Sequence, residues 1–328
     1  MVTTTAETEL DLYLRRRANP DQHSLTQAYT VLNDPERLAR IREILAPNGF
    51  TISENFKIGY SDPEVQKKDY RIITQILHRI IYFDGNDDLY NRDVLPQLSE
   101  SFWQTSLSDL INKQGKSLTQ GTPVAEHIEH VPYNVNTTGC SYFERVILRV
   151  GAFFHDTAGK AQPTKKDGWH DHAFISAAYI HQFLQENRYA VFGSMIQKDR
   201  NILYRFQNEP TNPQKPEFLV YNSDRKINID NLFFDDPEME QKLDEFINQT
   251  TEIIRLHHVL QTISADGGGV QIDLEVVANI LHDRNVNPLL LGLLAIADGI
   301  TVAIDTPESQ KYAAFVLANV NGFMRLVG

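Results

Sequence analysis

Side chains that bind metal ions are concentrated in one part of this chain. The sequence contains 11 histidines, and most of them fall within residues 127–282. Imidazole and carboxylate groups suit Fe, Mn, Zn, Ni and Mg as ligands. A single histidine is usually structural. Repeated histidines on apolar helices are different, because buried imidazoles without partners cost free energy and a shared metal ion would satisfy them.

The stretch GAFFHDTAGK, residues 151–160, is the most informative of these segments. Its apolar run ends in two adjacent metal-binding side chains, His155 and Asp156, and Lys160 follows one helical turn later. Further histidines occur singly or in pairs on apolar segments. They are His127 and His130 in EHIEHV, His170 and His172 in GWHDHAF, and His257 and His258 in RLHHV.

Asp298 is the only charged residue in the apolar segment 289–304. A buried carboxylate requires a partner, and a metal ion would supply one, although a helix cap or a hydroxyl group is the alternative. A His-Asp pair is weak evidence by itself, since His170-Asp171 and His282-Asp283 repeat it. We interpret His282-Asp283 as a helix end without a catalytic role.

The order of these segments carries more information than any one of them. It runs His, His-Asp, His, His-His and Asp on separate predicted helices, and it resembles the HD superfamily of metal-dependent phosphohydrolases over roughly residues 124–305. The matching residues are His127, His155, Asp156, His172, His257, His258 and Asp298. His127 fits the first position because Val131 follows it, but His130 lies one turn away and is an alternative.

The resemblance implies one or two divalent metal ions of open identity (Mn, Fe, Ni, Zn or Mg). With two ions, His127, His155, Asp156 and Asp298 would bind the first. Asp156 would then bridge to a second ion bound by His172, His257 and His258. With one ion, the latter histidines would contact substrate phosphate or transfer protons.

The implied reaction is hydrolysis of a phosphomonoester or phosphodiester by metal-activated water, with a small phosphorylated substrate such as a nucleotide. Asp156 and Lys160 are the candidate catalytic residues, and Lys160 would contact a phosphate oxygen unless it is a solvated surface residue. The segment HHVLQT, residues 257–262, lacks the Glu and the Gly-Tyr-Pro signature that follow the paired histidines in the cyclic-dinucleotide branch of the family. This difference argues against hydrolysis of cyclic dinucleotides. A regulatory HD module without turnover and an HD-fold di-iron oxygenase are the alternatives.

Helical periodicity dominates the segments that must position these residues. It predicts helices over 34–47 and 71–83, a further helix over 102–111 and a buried helix over 289–304. The fold class is therefore all-α, mainly helical, with a small strand-like insertion around 187–237. We predict a helical N-terminal accessory segment, 1–120, and an HD-type domain, 121–328.

Composition limits the partners and the compartment. The net charge of −12 argues against general nucleic-acid binding and against membrane-surface binding. The single cysteine excludes a disulfide within the chain and favours a cytoplasmic location. No segment is long and apolar enough to predict a membrane span. Whether the chain forms a homo-oligomer stays open.

Overall fold

The computed structural model describes residues 35–54, 57–81, 83, 85–112, 124–157, 171–187, 191, 239–260, 274–302 and 307–327. Within these residues the chain is mainly helical with one two-stranded sheet, which confirms the predicted helical class. The strand-like insertion predicted around 187–237 lies outside the described residues, apart from positions 187 and 191. The predicted domain boundary near residue 120 lies outside them too, and the division stays a prediction.

Two of the predicted helices in the N-terminal part are present. Helix α1 (Pro35–Leu45) agrees with the helix expected over 34–47. Helix α2 (Pro63–Ile81) begins well before the helix expected over 71–83. It begins there because the Asp62 carboxylate accepts a hydrogen bond from the Glu64 backbone N–H (2.8 Å), and Pro63 suits the first helical turn.

The strands lie where the sequence analysis does not predict any. Strands β1 (Phe50–Ile52) and β2 (Ile58–Tyr60) pair antiparallel, with Phe50 opposite Tyr60 and Ile52 opposite Ile58. The Gln182 side-chain amide bonds the backbone of β2. It accepts a hydrogen bond from the Ile58 N–H (2.7 Å) and donates one to the Ile58 carbonyl (2.8 Å). The sheet is thereby joined to the helix that contains Gln182.

A helical segment with an interruption follows. It consists of α3 (Asp87–Leu89), a π-helical stretch (Tyr90–Val94), α4 (Leu95–Phe102) and α5 (Leu107–Asn112).

The prediction of one helix over 102–111 is wrong, because the chain leaves the helix between α4 and α5. The Thr105 hydroxyl donates to the Phe102 carbonyl (2.7 Å), and the Ser106 N–H donates to the buried Asp69 carboxylate. These side-chain bonds replace backbone helix bonds.

Helices are the only regular secondary structure in the described residues of the C-terminal part. They are α6 (Val124–Asn134), α7 (Tyr142–Phe154), α8 (Asp171–Glu186), α9 (Met239–Leu256), α10 (Leu274–Asp283), α11 (Pro288–Val302) and α12 (Pro307–Val327). Helix α7 begins with a capping box, in which Ser141 and Glu144 bond each other's backbone N–H groups. Helix α11 confirms the buried helix expected over 289–304.

Helix α7 contacts helices from both parts of the chain. It packs on α6, α9 and α11, and α2 of the N-terminal part packs on it as well. Buried apolar residues from both parts of the chain form a single core. None of the described helices is long and apolar enough to cross a membrane.

A buried arginine links α7 to the N-terminal part. The Arg149 guanidinium donates to Asp87 Oδ1 (2.9 Å) and to the Gly85 carbonyl (3.1 Å), and it lies over the Tyr90 ring. Burial alone would raise the pKa of Asp87. Hydrogen bonds from Thr137 and from Arg149 outweigh burial and lower this pKa below its ordinary value.

We therefore expect Asp87→Asn to lower the free energy of unfolding at pH 7 by about 1.5–3 kcal/mol, the range for a hydrogen bond to a charged group. Because the folded-state pKa of Asp87 is depressed, its contribution is complete above the unfolded pKa of about 3.9. It is lost as the pH falls through the lower folded-state value. Urea unfolding between pH 3 and pH 7 measures both effects.

Asp93→Asn is the matched control, because Asp93 pairs with Arg92, whose side chain is 70% exposed, whereas that of Arg149 is 1% exposed. This substitution should change the free energy of unfolding little. Equal effects of Asp87→Asn and Asp93→Asn would contradict a stabilising role for the buried pair.

Candidate metal centre

Seven side chains from five helical segments converge at the inner end of α7. Six of them are buried, and His258 is partly exposed. The seven are His127, His155, Asp156, His172, His257, His258 and Asp298. His127 comes from α6, His172 from α8 and Asp298 from α11, whereas the others directly follow the last residue of α7 or α9. These are the residues that the sequence predicts as metal ligands.

The Asp156 carboxylate lies between two groups of these residues. Its Oδ2 is 3.5 Å from Nε2 of His127 and 3.5 Å from Nε2 of His155. Its Oδ1 is 3.1 Å from Nε2 of His172 and 3.5 Å from Nε2 of His257. Each oxygen therefore faces its own set of imidazoles.

Further contacts join the residues within each group. In the first group, His127, His155 and Asp298, His127 Nε2 lies 2.8 Å from Asp298 Oδ1. In the second group, Asp156, His172, His257 and His258, the Nε2 atoms of His172 and His258 lie 2.8 Å apart. Within the set His127, His155 and Asp298, and within the set Asp156, His172, His257 and His258, the ligand atoms all lie within 4.8 Å of one another.

The backbone orients two of the imidazoles in the same way. His155 Nδ1 lies 2.8 Å from the Ala152 carbonyl, and His257 Nδ1 lies 2.6 Å from the Ile254 carbonyl. A carbonyl oxygen only accepts, so Nδ1 carries the proton in both rings. In the neutral ring the lone pair is then on Nε2, the atom that points into the cluster.

The electrostatics of the cluster favour a cation. Burial alone would raise the pKa of Asp156 and of Asp298, but neighbouring imidazoles hold both well below the ordinary value. Burial lowers the pKa of His155 to about 4, against the opposing influence of the two carboxylates. Burial would lower the pKa of His257 too, but Asp156 and Asp298 raise it. Two ionised carboxylates are thus buried together.

Polar atoms in the cluster lack hydrogen bonds that the protein could supply. Both oxygens of Asp156, and Nε2 of His127, His155 and His257, are buried without a hydrogen-bond partner. His127 Nε2 lies 2.8 Å from Asp298 Oδ1, and the other oxygen of Asp298, Oδ2, is buried without a hydrogen-bond partner too. Native structures leave few such atoms unsatisfied. The pattern is compatible with a site that holds a bound ion.

The spacing of the atoms fits a metal ion. Metal bonds of about 2.0–2.2 Å at tetrahedral or octahedral angles separate two ligand atoms by roughly 2.9–3.5 Å. The separations around Asp156 lie within or close to this range. The buried histidine and aspartate clusters can therefore hold a metal ion, and no cysteine belongs to them.

The structure also distinguishes the remaining candidates. His130 is exposed, whereas His127, one turn before it, is buried and within the cluster. His282 is exposed at the end of α10, apart from the cluster. Lys160 and His170 lie outside the described residues. The carbonyls of Ala152 and Ile254 are not predicted from the sequence, where the only signal for them is a histidine directly after an apolar helix.

Comparisons of this chain with family models, with curated proteins and with solved structures give no match. The resemblance to the HD superfamily therefore depends on the order of the seven residues in the sequence alone.

We expect His127→Ala to weaken Mn²⁺ binding by more than the roughly 10–100-fold that follows loss of a second-shell hydrogen bond, because it removes a ligand. His130→Ala is the matched control on the same helix and should leave the affinity unchanged. Chelator-stripped protein, refilled with Mn²⁺ and analysed by calorimetry, gives both affinities. Weaker binding in His130→Ala alone would mean that His130 is the ligand.

Proposed function

We propose that the chain is a metal-dependent phosphohydrolase of the HD type that binds two divalent ions bridged by Asp156. The first ion would be held by His127, His155, Asp156 and Asp298. The second would be held by Asp156, His172, His257 and His258. The substrate would be a small phosphomonoester or phosphodiester, with a nucleotide as the leading class.

One observation carries this proposal: the two oxygens of one buried carboxylate face separate sets of imidazoles. A carboxylate that supports a single ion needs only one such set. Imidazole Nε2 atoms approach both oxygens of Asp156, but neither oxygen has a hydrogen bond of normal geometry. The division of ligands around Asp156 supports two adjacent ions.

The nitrogen and oxygen ligand atoms limit which metal ions the site would bind. Imidazole nitrogen and carboxylate oxygen suit Mn, Fe, Ni and Zn, and carboxylates also accept Mg. Ions of this kind lower the pKa of a bound water towards 7 and stabilise charge on phosphoryl oxygens. The protein residues would fix the ions and exclude bulk water, since most of the ligands are fully buried.

His258 indicates the side from which the substrate would approach. It is the one ligand candidate that is partly exposed, and its Nε2 lies 2.8 Å from that of His172. The first group is enclosed on the other side by α6 and α11. We infer that the second ion contacts the substrate and exchanges with solvent, while the first stays enclosed.

Two other functions predict different results in the same experiments. An HD-fold di-iron oxygenase would use the same nitrogen and oxygen ligands, which also suit iron. A regulatory module would bind a nucleotide or partner without turnover. The presence of the full ligand set argues against the regulatory module, because a module without catalysis has no need for every ligand.

The decisive test combines metal analysis with activity. Protein purified without chelator should contain metal, or take up Mn, Fe, Ni or Zn, and should release phosphate or cleave a diester in a substrate panel. Absence of any bound metal would exclude the enzyme. Bound iron with oxygen consumption and without phosphate release would favour the oxygenase.

We expect Asp156→Ala to reduce hydrolysis by at least about 10³-fold, the upper range for loss of one electrostatic group, because it removes a ligand of both ions. Helical content should change little. His282→Ala, in the other described His-Asp pair of helix-end residues, should retain metal and activity. Equal losses in Asp156→Ala and His282→Ala would show that the wrong pair has been assigned.

His258→Ala should reduce bound Mn²⁺ from two ions to one, because the first group does not include His258. Inductively coupled plasma mass spectrometry after desalting measures this ratio. Loss of both ions, or retention of both, would contradict the proposed division of ligands.

A further inference from the structure

A layer of close packing lies one helical turn beneath the ligands. Gly151 precedes His155 by four positions, Ile253 precedes His257 by four, and Leu294 precedes Asp298 by four. Residues four apart lie on one face of a helix. A Cβ atom at Gly151 would lie 2.5 Å from Ile253 Cδ1 and 3.9 Å from Leu294 Cδ2. The three helices that carry these ligands therefore meet at Gly151.

We propose that Gly151 is a positioning residue, which sets the spacing between α7 and α9 and hence between the ligands at their ends. The inference rests on the proposed metal centre. Glycine leaves no side chain between the helices, so Ile253 lies directly against the backbone of α7. The same turn contains the Ala152 and Ile254 carbonyls that orient His155 and His257.

The ligands above this layer are in direct contact across the two helices. The rings of His155 and His257 pack edge to face with centroids 5.1 Å apart. Asp156, at the end of α7, lies 3.5 Å from His257, at the end of α9. A change in the separation of α7 and α9 would therefore alter the distances on both sides of Asp156.

The size of the expected change follows from the contact distance. Ordinary carbon contacts are about 3.5–4.0 Å, so an added Cβ at 2.5 Å requires a shift of roughly 1 Å. Functional sites tolerate about 0.5 Å before their geometry fails. If the Ile253 side chain absorbed the whole shift by changing its rotamer, the ligands would stay in place. The experiment distinguishes these outcomes.

The test compares wild type, Gly151→Ala and the double variant Gly151→Ala/Ile253→Val. The second substitution removes Cδ1, which the new Cβ would meet at 2.5 Å, and keeps Cγ1, which lies at 3.1 Å and requires a shift of only a few tenths of an ångström. Each is stripped with chelator and titrated with Mn²⁺. Calorimetry gives the affinity and stoichiometry. Electron paramagnetic resonance reports the magnetic coupling between two neighbouring Mn²⁺ ions. A loss of stability that leaves the protein folded would not change this coupling.

Gly151→Ala should weaken Mn²⁺ binding by roughly tenfold or more and remove the coupled signal, as expected when support for the ligands is lost. The double variant should recover both. Gly322→Ala is the matched control, because its Cβ would meet Leu274 Cδ1 at 2.9 Å between two helices that carry none of the ligands. It should match wild type within about twofold.

Each other outcome has a defined meaning. Wild type that binds no Mn²⁺ overturns the proposed metal centre itself. Wild type that binds two ions, with Gly151→Ala binding them equally and giving the same spectrum, overturns only the role of Gly151. If Gly151→Ala does not fold, the double variant decides: a folded double variant with the wild-type signal supports the role, and an unfolded or still impaired one overturns it.

Discussion

Two ionised carboxylates are buried next to each other in this protein, and that constraint governs the rest of the site. Removing an unpaired carboxylate from water costs several kcal/mol. Asp156 and Asp298 are nevertheless both buried, and surrounding imidazoles keep the pKa of each low. Because hydrogen bonds leave the Asp156 oxygens unsatisfied, the imidazoles are only part of the compensation. A bound cation would complete it, which explains why so many buried polar groups occur at the end of an apolar helix.

Two helices, α7 and α9, end directly before ligand residues. Helix α7 ends directly before His155, and α9 ends directly before His257, so each imidazole donates from Nδ1 to a carbonyl of its own last turn. The carbonyl at a helix end lacks a partner in the helix, and the imidazole supplies one. One bond thus satisfies the helix end and fixes the ring. Beneath this layer, Gly151 allows α7 and α9 to approach closely enough for the two rings to touch.

The sequence predicts all seven residues of the cluster, and the features that it does not predict have physical reasons. Asp298 is evident because a lone charge in an apolar segment needs a partner. The choice between His127 and His130 depends on which face of α6 meets α11, and helical spacing alone leaves that open. The break between α4 and α5 depends on Asp69, a residue distant in sequence. Strands of three residues, such as β1 and β2, are too short to show alternation.

Crystals of the protein soaked in Mn²⁺, with data collected for anomalous scattering, would test the bridging role of Asp156 most directly. We expect two anomalous peaks, one beside each oxygen of Asp156, separated by about 3.5–4 Å as in other two-metal sites. The peak nearer His258 should have the lower occupancy at limiting Mn²⁺. A single peak on one side of Asp156 would contradict the bridged pair, and no peak within the cluster would contradict the metal centre.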